Sequence, residues 1–60
     1  MNTMEWEKFF KKMSQDDIYT VDAALKVLYR TAPEIFKEFE GLDTVMIVAD
    51  CVADLHDHHD

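Results

Sequence analysis

The residues with the most chemistry per position lie near the end of the chain, in His56-Asp57-His58-His59-Asp60. Carried on a helix, Cys51, Asp54 and His58 fall at i, i+3 and i+7, on one face. Thiolate, carboxylate and imidazole are all Zn²⁺ ligands, so this spacing sketches three corners of a tetrahedral site. A metal site needs a complete and oriented ligand set. The competing reading of 56–60 is a frayed terminus, whose histidines suit the negative end of a helix dipole when protonated. The expectation is therefore no cofactor, with Zn²⁺ at Cys51, Asp54 and His58 as the alternative. Cys51 is the only cysteine, which excludes a disulfide within the chain. As a nucleophile it needs a lowered pKa and an aligned base. The acids around it and the lack of nearby Lys or Arg argue instead for a small, partly buried packing residue.

A second constellation is electrostatic. Residues 1–37 hold six acids and six bases, whereas residues 38–60 hold seven acids with no Lys or Arg, so the net charge of −7 belongs to one end. At 100° per residue, Asp43, Asp50, Asp54 and Asp57 gather within about 60° on a helix, opposite a valine face. Met46 and Ile47 flank this ridge at positions expected to be exposed in a monomer. Asp50 and Asp54 stand about 6 Å apart along the axis, close to the spacing of backbone phosphates. Acidic side chains steer a basic partner and neighbouring apolar ones hold it. The expected function is a small acidic, non-enzymatic regulator. It binds, and by simple blockade inhibits, a protein with a basic or mixed basic and apolar surface, with nucleic-acid mimicry as one route. The partner-binding set is Asp43, Met46, Ile47, Asp50, Asp54 and Asp57. Two plainer readings compete: the acids only maintain solubility, or Lys8, Lys11 and Lys12 of the first helix lie against them. A structural homo-oligomer subunit is the main functional alternative, and a homo-oligomer is expected in either case. Nearly half the chain, 48%, is hydrophobic, more than a small core hides.

Other classes are disfavoured by what the residues lack. His56-x-His58-x-Asp60 resembles the metal motif of metallo-β-lactamase-like hydrolases, and His56-Asp57 resembles that of HD-type phosphohydrolases. Each resemblance spans five residues or fewer, and those enzymes draw further ligands from a large scaffold. No Gly-rich phosphate loop, nucleophile motif or Ser/His/Asp arrangement is present, so no enzyme is expected. Short second and third helices suggest a helix-turn-helix. A reading helix needs Lys and Arg facing phosphates, however, and the third helix sets Lys37 against Glu34, Glu38 and Glu40. Direct nucleic-acid binding is not expected. The longest apolar run, Val45 to Ala49, is far short of the roughly 20 residues of a membrane span. The first ten residues do not pair a basic stretch with an apolar one. A cytoplasmic protein is expected, and its lone thiol suits a reducing compartment.

The elements that must position these residues read as helices. The first is expected over 3–13, capped by Asn2 with Glu5, with Trp6, Phe9, Phe10 and Met13 on one face and Glu7 spaced to pair with Lys11. The second starts at Ser14 or near Thr20. It carries the seam Ile18, Val21, Leu25, Leu28 and Ala32, widened by Tyr29, and ends near Arg30. Thr31-Ala32-Pro33-Glu34 reads as a capping box that opens a third helix, with Ala32, Ile35, Phe36 and Phe39 inward and Gly41 as its stop. The fourth begins at Asp43 or Thr44 and runs to about Leu55 or beyond, burying Val45, Val48, Val52 and Leu55 with Ala49 at the edge. Its β-branched start could suit a strand, but nothing else in the sequence would pair with one. The expected fold is all-α, a single domain over 1–60 forming a compact bundle of three to four short helices. Trp6, Phe9, Phe10, Leu25, Leu28, Phe36 and Phe39 are expected to pack around the valine face of the fourth helix.

Overall fold

The computed structural model describes residues 3–57; Asn2, and with it the expected first cap, and the 58–60 part of the His/Asp tail lie outside the described residues. Four helices follow one another: α1 (Thr3–Lys11), α2 (Gln15–Thr31), α3 (Pro33–Glu38) and α4 (Leu42–Asp57). Among the described residues there is no strand, and the protein is all-α as its periodicity predicts. No helix there is long and apolar enough to cross a membrane.

Helix boundaries follow local chemistry. Lys12 and Met13 donate their N–H groups to Phe9 and Phe10 carbonyls, so α1 tightens into an i+3 turn and stops two residues early. Ser14 is the cap of α2: its hydroxyl oxygen accepts the Asp17 N–H at 3.1 Å. The expected Thr31 capping box does not form. Thr31 is the last residue of α2, and its hydroxyl donates to the Val27 carbonyl at 2.7 Å, one turn back. A threonine in a final turn finds that carbonyl without leaving the helix. The break falls instead at Ala32, which leaves helical geometry (φ −143°, ψ 64°) because the Pro33 ring disfavours that geometry in the residue before it. Pro33 then opens α3. Gly41 does not end α3, which gives way at Phe39. At φ 88° Gly41 makes the turn into α4, and its carbonyl accepts the Val45 N–H at 3.1 Å.

Helix α4 is the central element, packed along both α1 and α2, while α3 packs on α2. The core is small: Phe10, Ile18, Val48, Ala49, Val52 and Ala53 are buried, with Trp6, Met13, Tyr19, Val21, Leu25 and Val45 half-covered around them. Trp6 stacks on Phe10 at a centroid distance of 5.4 Å. Several expected core residues lie elsewhere. Phe9 and Phe39 are half or more exposed, and α3 buries no residue. Leu28 and Phe36 are only half-buried. Tyr29 is exposed on the far side of α2, where it meets Phe36 edge-on at 5.2 Å. On α4 the buried arc is rotated from the valine face toward Ala49 and Ala53, which leaves Leu55 54% exposed. A helix seated between two neighbours is approached most closely where its side chains are small, and that condition places the alanines inward.

Helix α4 also continues through the start of the tail. His56 is half-buried and Asp57 is helical. The Tyr19 hydroxyl donates to Asp57 Oδ1 at 3.2 Å and accepts from the Gln15 side-chain amide at 3.2 Å. Residues 56 and 57 of the expected frayed tail are thus the last of α4. Tyr19→Phe and Asp57→Ala are each expected to cost about 0.5–1 kcal/mol, as an exposed hydrogen bond does. The double variant should cost little more than either single one. Urea titration of the four proteins checks this, and full additivity would mean that the bond carries no energy.

Candidate functional site

The solvent-facing surface of α4 follows from how its neighbours sit. Asp50 and Asp57 reach α2, through Lys26 and Tyr19. Ile47, Cys51 and Leu55 border a groove of about 270 Å³ whose opposite wall is Thr3 and Glu7 of α1. Around the helix at 100° per residue, the exposed arc then runs Asp50, Asp43, Asp54, Ile47, Cys51, Leu55, from the α2 side to the α1 side. It is acidic beside α2 and apolar beside α1.

The structure divides the expected binding set. Asp43 and Asp54 are exposed, Asp43 also accepting the Thr44 N–H at 3.0 Å. Ile47 is 59% exposed, as its position demands. Met46 is half-buried, because it sits on the α2 flank where the neighbouring helix covers it. Asp50 is half-buried as well and forms a 2.8 Å ion pair with Lys26. Cys51 is exposed and not partly buried, since the rotation of α4 toward its alanines turns this position outward.

The base that answers the acids comes from α2. Lys11 instead pairs with Glu7 on its own helix at 3.0 Å, the i,i+4 pair its spacing predicts. Lys26 bridges Asp50 Oδ1 at 2.8 Å and Asp22 Oδ2 at 3.1 Å. These bonds, to Asp50 first and Asp22 second, hold the Lys26 ammonium above the ordinary lysine pKa of 10.5. Asp22 is only 8% exposed, and its Oδ1 is buried without a hydrogen-bond partner. Sequence reading passed over this buried carboxylate, although Asp22 and Lys26 stand four residues apart in the pattern of a helical ion pair.

The metal reading divides too. Cys51 and Asp54 lie one turn apart and both face solvent, while His58 lies outside the described residues. Among the described residues no three His, Cys, Asp or Glu side chains gather as a ligand set. The surface that remains is an acidic line beside an apolar stripe, an arrangement suited to binding.

No family model, no curated protein and no solved structure matches the chain, so its functional reading rests on this surface of α4.

Proposed function

We propose that this chain is a small non-enzymatic binding protein of the cytoplasm. It uses the exposed arc of α4 to occupy, and so block, a protein with a basic surface. One observation supports this reading above the rest: Asp43, one turn before the exposed Ile47, and Asp54, two turns after it, stand exposed on the same side of α4, on the acidic end of the chain. Carboxylates at the rim raise the rate of encounter with a basic surface, and the desolvated aliphatic side chain slows release. Asp50 contributes less than its position in the sequence suggests, because Lys26 already answers its charge.

The test is capture of partners from the native host's lysate, comparing the unaltered chain with the Asp43→Asn/Asp54→Asn and Ile47→Ala variants. The expected result is one retained protein with a basic surface. The double Asn change should slow its association and flatten the salt dependence, and Ile47→Ala should speed its dissociation. If no retained protein distinguishes the unaltered chain from the variants, the acids are solubilising surface and the structural-subunit reading replaces this one.

A further inference from the structure

We infer that the Ile47, Cys51 and Leu55 stripe pairs with a second copy of the chain about a two-fold axis, with the two α4 helices parallel. The apolar demand is plain. Ile47 and Leu55 are more than half exposed, and Cys51 between them is exposed too. The three recur every four residues, so they form one continuous line along α4. Large exposed side chains are spread over the other helices as well, but here three exposed side chains line one groove.

Charge selects the occupant and its direction. The stripe has two unlike borders. On the α2 side stands Asp54; on the α1 side stand Glu7 and Lys11, with Lys11 beside Leu55. A two-fold axis along the helix direction makes the copies parallel and sets the acidic border of each against the α1 border of the other. Asp54 then lies level with Lys11 of the second copy and extends the Glu7–Lys11 pair into a network across the interface. A two-fold axis across the helices makes them antiparallel and sets acidic border against acidic border, where the carboxylates of Asp43 and Asp54 meet like charge. In the parallel arrangement Ile47, Cys51 and Leu55 each face their own counterpart, because an axis along the helices keeps every residue at its own height. A second copy thus brings an apolar stripe to match this one and sets Lys11 opposite the acidic border. The dimer needs no basic protein, but it covers Ile47 and Asp54 of the proposed partner surface, so a basic partner and a second copy compete for this face.

The test is sedimentation equilibrium of the purified chain from low micromolar to high micromolar concentration. The expected mass is twice the 7.1 kDa chain. Ile47→Asp, at an exposed position, should keep its helical circular dichroism and weaken the dimer by at least about tenfold in Kd. Lys11→Glu should weaken it less, and Lys11→Glu with Asp54→Lys should restore it. A short bis-maleimide should couple two chains through Cys51, and the Cys51→Ser variant should give no such product. A monomer at every concentration, or a dimer indifferent to Ile47→Asp, would overturn the inference. A dimer that the charge exchange fails to restore would overturn the parallel arrangement. None of these readouts uses a third protein, so they leave the partner-binding reading to its own test.

Discussion

Replacing Ile18 by alanine is expected to leave the chain largely unfolded at 37 °C. Ile18 is 0% exposed and, with Val52, is one of the two largest side chains that are fully buried. It enters the core from the first turn of α2, just after the Ser14 cap, where it joins α2 to the central helix. Truncating a buried isoleucine removes its transfer energy and leaves a cavity, together about 2–5 kcal/mol. A 60-residue domain has a total stability of roughly 3–9 kcal/mol at the usual contribution per residue. The core has few other members to spread the loss: among the described residues only six hydrophobic side chains are buried. Val27→Ala is the control. Val27 lies on the same helix but is about half exposed, and its change should stay within roughly 0.5 kcal/mol. Urea unfolding followed by circular dichroism checks both. An Ile18→Ala midpoint equal to that of the unaltered chain would mean that the core relaxes around the site, or that α2 is not held where the structure has it.

How much of this arrangement the sequence discloses depends on the kind of signal. Local chemistry is legible. Ser14 with Asp17 marks the start of α2, Pro33 the start of α3, and the Glu7–Lys11 spacing an ion pair, because each involves residues within one turn. Rotation of a helix about its axis is less legible. The valines of α4 outweigh its alanines on any hydropathy count, yet Ala49 and Ala53 are buried and Leu55 is not. What decides the matter is how closely α1 and α2 approach, and a sequence pattern on one helix carries no term for its neighbours. The same blindness placed Phe9 and Phe39 in the core. A bundle this small has too little interior for every large apolar side chain, and the pattern does not say which are left out. It also hid the pairing of Asp50, since Lys26 lies 24 positions away in the chain. Cys51 follows from the same rotation: with α4 turned toward its alanines, the thiol is carried from the expected packing position to the surface.

The buried carboxylate makes the second large effect. Lys26→Met is expected to destabilise the fold, and removing the charge of Asp22 is expected to repair part of the damage. Lys26 is itself well exposed, so the energy does not reside in its own burial. It resides in Asp22, which is 8% exposed, has one oxygen bonded to the Lys26 ammonium and the other buried without a partner. Without the ammonium both oxygens are unanswered, and a buried polar group in that state costs about 1–3 kcal/mol. In a domain of this size each kcal/mol lowers Tm by roughly 4–8 °C. Asp22→Asn in the Lys26→Met background keeps the shape and removes the stranded charge, so it should raise Tm again. The pH dependence has a definite sign. The Lys26 pKa lies above its ordinary value of 10.5 in the folded chain, so the stabilisation linked to its ammonium is fully present below pH 10.5. It is lost as the pH rises from there through the higher folded value. The stability difference between the unaltered chain and Lys26→Met should therefore hold from neutral pH up to about 10.5 and shrink beyond it. Thermal melts of the two proteins across that range, with the Asp22→Asn/Lys26→Met chain alongside at neutral pH, decide the matter. With the single Asp22→Asn protein completing the cycle, simple addition of the two substitutions would mean that Lys26 and Asp22 act independently and that the buried carboxylate does not depend on the ammonium.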